Sequence, residues 1–273
     1  MNKPYKLRRA PSGGVAQRIG GTLTRRTFLG RAAASASAVA LAGCDNLSRT
    51  EWFPKLLNSV EPLNEGLAKL IGRKAMAQEF SERDRSPEFR SNGSDDPGTD
   101  QYNAWVRNQF ADYTLMVGGL CETPRKFTLA ELRALPSRTQ VTRHDCVEGW
   151  SAIAKWKGAR MSALLDIVKP KPEARYVMLY CADPMAQDGT DLYYESIDFD
   201  DARHEQTLLA YELNDQPLPV PNGAPLRLRV ERQLGYKHAK YITSIEFVSS
   251  FATIGGGKGG YWEDQGYQWY AGI

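Results

Sequence analysis

From Tyr113 onward the apolar residues come in short blocks, each closed by a turn former, and few persist long enough for an extended helix. Residues 113–117 read as a strand that Gly118-Gly119 closes. Thr128-Leu129-Ala130-Glu131 has capping-box spacing and predicts a short helix over residues 129–135, stopped by Pro136. Residues 139–142 predict a strand that delivers Cys146 to a loop, and residues 161–168 a helix that ends near Pro170. Residues 175–181 read as a buried strand and 193–197 as another, while 206–213 suit either a strand or a helix. Residues 226–230 alternate Leu and Arg at period two, the mark of a half-buried strand. Residues 241–249 predict a further strand, and 254–260 a mobile glycine-rich loop. Mixed short strands and helices without βαβ regularity point to an α+β fold.

Upstream the pattern changes. Residues 86–101 are dense in Pro, Gly, Asn, Asp and Ser and predict a loop. Residues 45–87 are mostly polar, with an amphipathic helix predicted over 63–71, and read as a tether or docking arm. The main domain is expected over 88–273. Residues 1–44 look like a leader: Thr24-Arg25-Arg26-Thr27-Phe28-Leu29-Gly30 is a twin-arginine motif, followed by a weakly apolar run too short to span a bilayer. Leu41-Ala42-Gly43-Cys44 resembles a lipobox, which would lipidate Cys44; cleavage near Ala34-Ser35-Ala36 is the alternative. Both imply use of the twin-arginine export machinery and a periplasmic or other extracytoplasmic protein. Lipid anchoring through Cys44 requires the first.

Charge supports that division. The 273 residues carry 35 Lys and Arg against 32 Asp and Glu, but eight of the basic residues and none of the acidic ones lie in the first 44. The remainder of the chain is acidic, with 27 basic groups against 32, so a nucleic-acid partner loses its electrostatic footprint. Hydrophobic content of 42% is enough for a sizeable core. Beyond Cys44 three cysteines remain, Cys121, Cys146 and Cys181, an odd number for an oxidising compartment, and a Cys121–Cys181 bridge stays open. No CxxC spacing favours structural zinc.

The candidate chemistry centres on Arg143-His144-Asp145-Cys146-Val147-Glu148-Gly149-Trp150-Ser151. Nearby basic groups and a flexible glycine would favour a thiolate at Cys146. Three readings stand: an inert buried cysteine, a Cys146 nucleophile with His144 as its base, and a single-thiolate metal site. A second cluster lies beyond Pro219-Val220-Pro221-Asn222-Gly223-Ala224-Pro225: Arg227, Arg229, Arg232, Lys237, His238 and Lys240 crowd into 14 residues of an otherwise acidic chain. Arginine forks and lysine ammoniums suit phosphate, and Asn222 can both donate and accept, as a heterocycle edge requires. Gly255-Gly256-Gly257-Lys258-Gly259-Gly260 lacks the spacing and the Ser or Thr of a phosphate-binding loop.

In combination, residues 143–151, 209–229 and 235–248 resemble the sulfite-oxidase family of molybdenum enzymes. The likeness covers roughly residues 88–270 and is closest to the exported bacterial branch that includes the catalytic subunit of periplasmic methionine sulfoxide reductase. It implies a sulfite-oxidase-type molybdopterin-binding fold holding one mononuclear molybdenum and one pyranopterin. It also implies Cys146 as the metal ligand, with Asn92, Cys181, Asn222, Arg227, His238, Ala239 and Lys240 binding the cofactor and Tyr267 overhanging the metal. The function so implied is two-electron oxygen-atom transfer on a small sulfite- or sulfoxide-like compound. Electrons would pass to or from a redox partner such as a membrane haem protein or cytochrome. Asn222 stands where the animal enzymes have His, and the chain ends without the dimerisation domain of longer members, which implies a monomer. The rivals are a cofactor-free thiol enzyme using Cys146 and His144, and a non-catalytic pterin-binding or electron-relay protein.

Overall fold

A computed structural model describes residues 49–72, 75–186 and 189–273. The twin-arginine motif, the apolar run and Cys44 lie outside the described residues. The chain divides into two compact units, residues 1–59 and 60–273. Helix α1 (Trp52–Gly72) is longer than the 63–71 stretch expected and carries Pro62 in its interior. None of the described helices is long and apolar enough to cross a membrane.

The α+β expectation holds. Two sheets of five strands face one hydrophobic core within residues 60–273. The first runs β2 (Arg125–Thr128), β1 (Thr114–Gly119), β10 (Ile242–Val248), β5 (Tyr176–Pro184), β6 (Leu192–Asp198), with β1 and β10 parallel and every other pair antiparallel. In β1 the residues Leu115 and Val117 point inward and are fully buried. The second runs β3 (Ser137–Asp145), β4 (Ser151–Arg160), β7 (Leu208–Leu213), β8 (Gln216–Pro217), with β9 (Arg227–Arg229) also pairing with β7. Between the sheets lie Leu209, Leu226 and Leu228 from one side and Val177, Leu179 and Ile245 from the other.

Local chemistry sets the element ends. Helix α3 (Leu129–Ala134) starts on the expected capping box: Thr128 Oγ1 accepts from the Glu131 N–H at 3.2 Å, and the Thr128 N–H donates to Glu131 Oε2 at 2.8 Å. Helix α4 (Met161–Val168) ends at Lys169, in the left-handed region with φ 50°, immediately before Pro170. Strand β4 has a weak hydrophobic signature because small residues flank Trp156 on its buried face. Ala152 and Ala154 are buried, and at Gly158 a Cβ would lie 2.4 Å from the Leu209 carbonyl oxygen, so glycine lets β4 and β7 meet. A further helix, α2 (Asp100–Arg107), comes after the expected loop, its Thr99 hydroxyl accepting from the Tyr102 N–H at 3.3 Å.

Three expectations need correction, and one open question closes. Residues 77–86, expected in the docking arm, run along β3 and β4, with Phe80 N–H donating to Val141 O at 2.8 Å and Ser86 N–H to Ile153 O at 2.9 Å. Strand β9 is buried on both faces: Arg227 and Arg229 are 0% exposed because Trp156 covers their side of the strand. The glycine-rich loop is pinned. Helix α5 (Phe199–Ala202) and helix α6 (Tyr261–Asp264) are each a single turn, and Asp264 of α6 accepts from the N–H of Gly256 at 2.6 Å and of Lys258 at 3.0 Å, and from the Tyr194 hydroxyl. Cys121, Cys146 and Cys181 are free thiols, so the Cys121–Cys181 bridge is absent.

Candidate active site

Strands β3 and β4 form a hairpin, and Cys146 is the first residue beyond β3. Its N–H donates to Trp150 O at 2.9 Å, and Gly149 N–H donates back to Cys146 O at 3.0 Å. Gly149 closes that turn at φ +87°, a conformation costly for any residue with a Cβ. Side chains brace the loop from outside: Ser151 Oγ donates to Asp145 at 2.5 Å, Arg143 pairs with Asp145 at 2.9 Å, and Trp150 Nε1 donates to Glu148 at 2.8 Å. The hairpin presents Cys146, 8% exposed, to a cavity of about 140 Å³.

Five of the residues expected at the site line this cavity: Cys146, Tyr267, Asn92, His238 and Lys240. Tyr267 stacks on Trp262 with ring centres 5.4 Å apart and meets Tyr236 edge-on at 5.2 Å, forming an aromatic rim. Asn222, Arg227 and Ala239 lie buried behind the lining. Cys181, also expected at the site, does not line the cavity. It sits in the hydrophobic core on β5, paired in register with Ile242, and Asp183, farther along that strand, reaches the cavity instead.

In the cavity wall and behind it two cations, Lys240 and Arg227, are buried without a carboxylate partner among the described residues. The Arg227 guanidinium donates to Asn222 O at 3.0 Å, Asn92 Oδ1 at 3.3 Å and His238 O at 3.3 Å, all neutral acceptors. Burial, then the neighbouring Arg229, draws its pKa down to about 9. Lys240 donates to Ser91 Oγ at 3.1 Å, Pro221 O at 2.8 Å and Ser94 O. Burial, then Arg227, draws its pKa to about 7. Arg229 differs, because Glu231 takes its guanidinium at 2.5 and 2.9 Å. Buried cations lacking counter-charges are expensive, so an anionic group would complete Arg227 and Lys240. Polar atoms with open valences surround them: Asn222 Nδ2, Arg227 Nε, His238 Nδ1 and Asp183 Oδ1 are buried and make no hydrogen bond to the described residues. Donors and acceptors together beside two cations fit a polar heterocycle that carries a phosphate. A thiol close by fits a soft metal.

The two imidazoles are fixed as neutral tautomers. His238 Nε2 lies 3.0 Å from the Gln233 carbonyl, which can only accept, so Nδ1 is left as an acceptor. His144 Nδ1 lies 2.9 Å from Arg229 NH1, which can only donate, so Nε2 carries the hydrogen. Burial first, then nearby guanidiniums, holds both rings well below the ordinary histidine range. His144 is therefore committed to Arg229, its Nε2 face lying against Gly235, where a Cβ would come within 2.6 Å. Burial, reinforced by the Glu148 charge, pushes the Cys146 thiol up, against the expected thiolate. Without a free base the thiol-enzyme reading loses its support. A coordinated cation reverses the balance, because a coordinating thiol is deprotonated outright.

Sequence reasoning alone misses Glu148, Asp183, Met185, Tyr193, Tyr236 and Trp262, all of which line the cavity. Glu148 lies in the hairpin motif and Asp183 is a lone acid in an apolar strand; each is a visible signal. The others are aromatic or apolar residues of ordinary core type. Their role arises only when β6, the turn at Gly235–Lys237 and α6 converge.

Residues 103–253 match the family described as the oxidoreductase molybdopterin binding domain. Among curated proteins, a putative protein-methionine-sulfoxide reductase subunit, YedZ1, of Azospira oryzae is 44% identical over 162 residues, 59% of this chain and 56% of that protein. The protein-methionine-sulfoxide reductase catalytic subunit MsrP of Xanthomonas axonopodis pv. citri is 38% identical over 158 residues, 55% of this chain and 49% of that protein. The chain spans about half the length of these relatives. Among solved structures, the sulfane dehydrogenase SoxCD of Paracoccus pantotrophus aligns at 23% identity and a TM-score of 0.46, covering 51% of this chain and 39% of that one.

The burial of Lys240 gives a prediction for protein prepared without its anionic ligand. Its pKa of about 7 when folded lies below the ordinary lysine value of 10.5, so above pH 7 the unfolded chain binds a proton that the folded chain does not. Stability measured by denaturant should therefore rise between pH 7 and 9, and Lys240→Met should abolish the rise. In ligand-loaded protein the paired charge keeps its proton and the slope should vanish. The same slope in all three would contradict the unpaired-cation account.

Proposed function

The chain belongs to the oxidoreductase molybdopterin-binding domain family, and on that premise we propose that it is an exported molybdenum-cofactor oxidoreductase that reduces a sulfoxide by oxygen-atom transfer. The observation that carries the reading is one arrangement: a buried thiol opens on a cavity with Lys240 in its wall and Arg227 behind it, neither with a carboxylate partner among the described residues. Cys146 would ligate the metal. Asn222, Arg227, His238 and Lys240 would hold the pterin and its phosphate, and Asn92 would keep Arg227 aimed through their 3.3 Å contact. When bound, the cofactor supplies two-electron oxygen-atom exchange at an open metal face, recharged by one-electron steps.

The chain's own residues shape the substrate. The cavity wall also carries the carboxylates Glu148 and Asp183 beside Met185, Tyr236, Trp262 and Tyr267. Such a wall repels a dianion such as sulfite and suits a neutral sulfoxide with apolar flanks, whether a methionine side chain or a small analogue. The names of the relatives, a protein-methionine-sulfoxide reductase subunit and a catalytic subunit, support that choice and also support a separate redox partner. A membrane haem protein is the partner class proposed. Export through the twin-arginine route would suit a cofactor inserted before translocation.

Two variants separate this reading from its rivals. Cys146→Ser replaces a soft thiolate with a hard hydroxyl; the protein should keep its pterin yet lose more turnover than the about 10- to 100-fold typical of losing an outer partner. Arg227→Ala should do the reverse, emptying the protein of pterin while the thiol remains. Pterin content measured beside sulfoxide turnover with a reduced dye reads both. Ordinary activity in Cys146→Ser, or full loading in Arg227→Ala, would contradict the assignment. Loaded wild-type protein that turns over nothing would favour an electron-relay protein.

Export is tested separately. Changing Arg25 and Arg26 to Lys should strand the precursor in the cytoplasm, as seen by fractionation, and normal export of that variant would contradict the leader reading.

A further inference from the structure

Beside the cavity, and unused by the assignment of cofactor and substrate, lies a fully buried charge cluster. Lys237 places its ammonium 2.5 Å from Glu195 Oε1 and 2.6 Å from Glu263 Oε1, and all three side chains are at most 1% exposed. Glu195 Oε1 also accepts from the Ser196 N–H at 2.7 Å, while Glu263 Oε2 has no hydrogen-bond partner among the described residues. Glycine at 260 permits this crowding, since a Cβ there would lie 2.1 Å from Glu263 and 2.7 Å from Glu195. The Trp269 ring lies 5.3 Å from the ammonium. Two carboxylates therefore share one cation in a site closed to water. A net negative charge so placed is costly, and binding one proton removes it.

A hydroxyl connects this cluster to the cavity. Tyr193 lines the cavity, and its Oη lies 2.5 Å from the Tyr236 carbonyl and 3.3 Å from Glu195 Oε2. The carbonyl can only accept, so the phenol donates to it and presents its oxygen lone pairs to Glu195. Only a protonated Glu195 can donate across that second contact.

We propose that the Glu195–Glu263 pair stores one proton over Lys237 and that Glu195 passes it through the Tyr193 hydroxyl to the cavity during sulfoxide reduction. This rests on the proposed function. Reduction of a sulfoxide consumes two electrons and two protons, breaks the sulfur–oxygen bond and releases a thioether and water. The electrons come from a one-electron reductant, which in an assay is a reduced viologen dye. Tyr193 gives its proton to the departing oxygen and receives the Glu195 proton. Glu195 is left as a carboxylate against Lys237 and recovers its proton from cavity water back through the Tyr193 hydroxyl before the next turnover. The second proton is drawn from water at the cavity mouth.

The groups facing Glu195 agree with a stored proton. Burial raises its pKa well above the ordinary carboxylate range; Lys237 opposes this and Glu263 reinforces it. Tyr193 on the same strand is itself held protonated by burial and by Glu195, Glu263, Cys181 and Asp183. Cys181 and Asp183, on the neighbouring strand β5, carry no positive charge that would release the proton.

The test uses molybdenum-loaded wild type, Glu195→Gln and Tyr193→Phe, with metal content measured in each. At neutral pH the infrared spectrum of the wild type should show the carbonyl band of a buried carboxylic acid, absent in Glu195→Gln and retained in Tyr193→Phe. Wild-type kcat should fall as pH rises into the alkaline range, where the stored proton is lost. Both variants should lose about 100-fold in kcat at unchanged KM, the low end of what a positioned proton donor contributes, and the alkaline fall should disappear. Wild-type kcat and pH profile in both variants would overturn the proposal, as would the acid band persisting in Glu195→Gln. Activity lost only in proportion to molybdenum would also overturn it, leaving the cluster a structural clasp. A wild type that shows the band but reduces no sulfoxide would fail the functional reading instead.

Discussion

The site is built around two guanidiniums that should not be buried together. Arg227 and Arg229 project from one face of a three-residue strand onto Trp156, with guanidinium carbons 5.1 and 4.3 Å from the ring centre. Each cation–π contact contributes about 0.5–2 kcal/mol, against a desolvation penalty of several kcal/mol per ion. The deficit is met differently at the two positions. Glu231 neutralises Arg229 from two residues away, and that pair fixes His144 and, through it, the base of the Cys146 hairpin. Among the described residues Arg227 has neutral partners alone, and Lys240 shares its predicament. The fold thus carries an unmet demand for negative charge one layer behind a thiol, which is the physical content of a seat for an anionic metal cofactor.

The cavity front obeys a different logic. Helix α6 is one turn long and could not hold its place alone. Glu263 ties it inward to Lys237, and Asp264 ties it outward to the glycine-rich loop and Tyr194. Between these anchors Trp262 is set at the cavity and Tyr267 stacks on it. The aromatic rim is therefore held by buried and half-buried charge, and the segment that looks mobile in sequence is a fastened strap.

Residues whose meaning is local can be read directly from the chain. The capping box at Thr128, the stop at Pro170 and the delivery of Cys146 by a strand depend on neighbours within a few positions, and all three stand. Residues whose meaning comes from distant partners cannot. The alternation of Leu and Arg over 226–230 suggests solvent on one side; the structure puts Trp156, about 70 residues upstream, in solvent's place. Strand β4 escapes notice because Ala152, Ala154 and Gly158, which flank Trp156 on its buried face, carry little hydrophobic signal, although Gly158 lets β7 come close. The Glu195–Lys237–Glu263 cluster joins residues 42 and 26 positions apart; the two glutamates look like ordinary surface charges in the sequence, and Lys237 reads only as part of the basic run. Asp183, two residues beyond the buried Cys181 on the same strand, reaches the cavity, and only its standing as a lone acid in an apolar strand marks it.

The central claim is that Cys146 is the protein's ligand to a molybdenum seated against Arg227 and Lys240, and the ligand shell can be counted directly. X-ray absorption at the molybdenum edge of purified protein should show one sulfur ligand more in the wild type than in Cys146→Ser, with the remaining sulfur shell unchanged. An identical sulfur count in the two proteins, or wild-type protein that is active without molybdenum, would contradict the account.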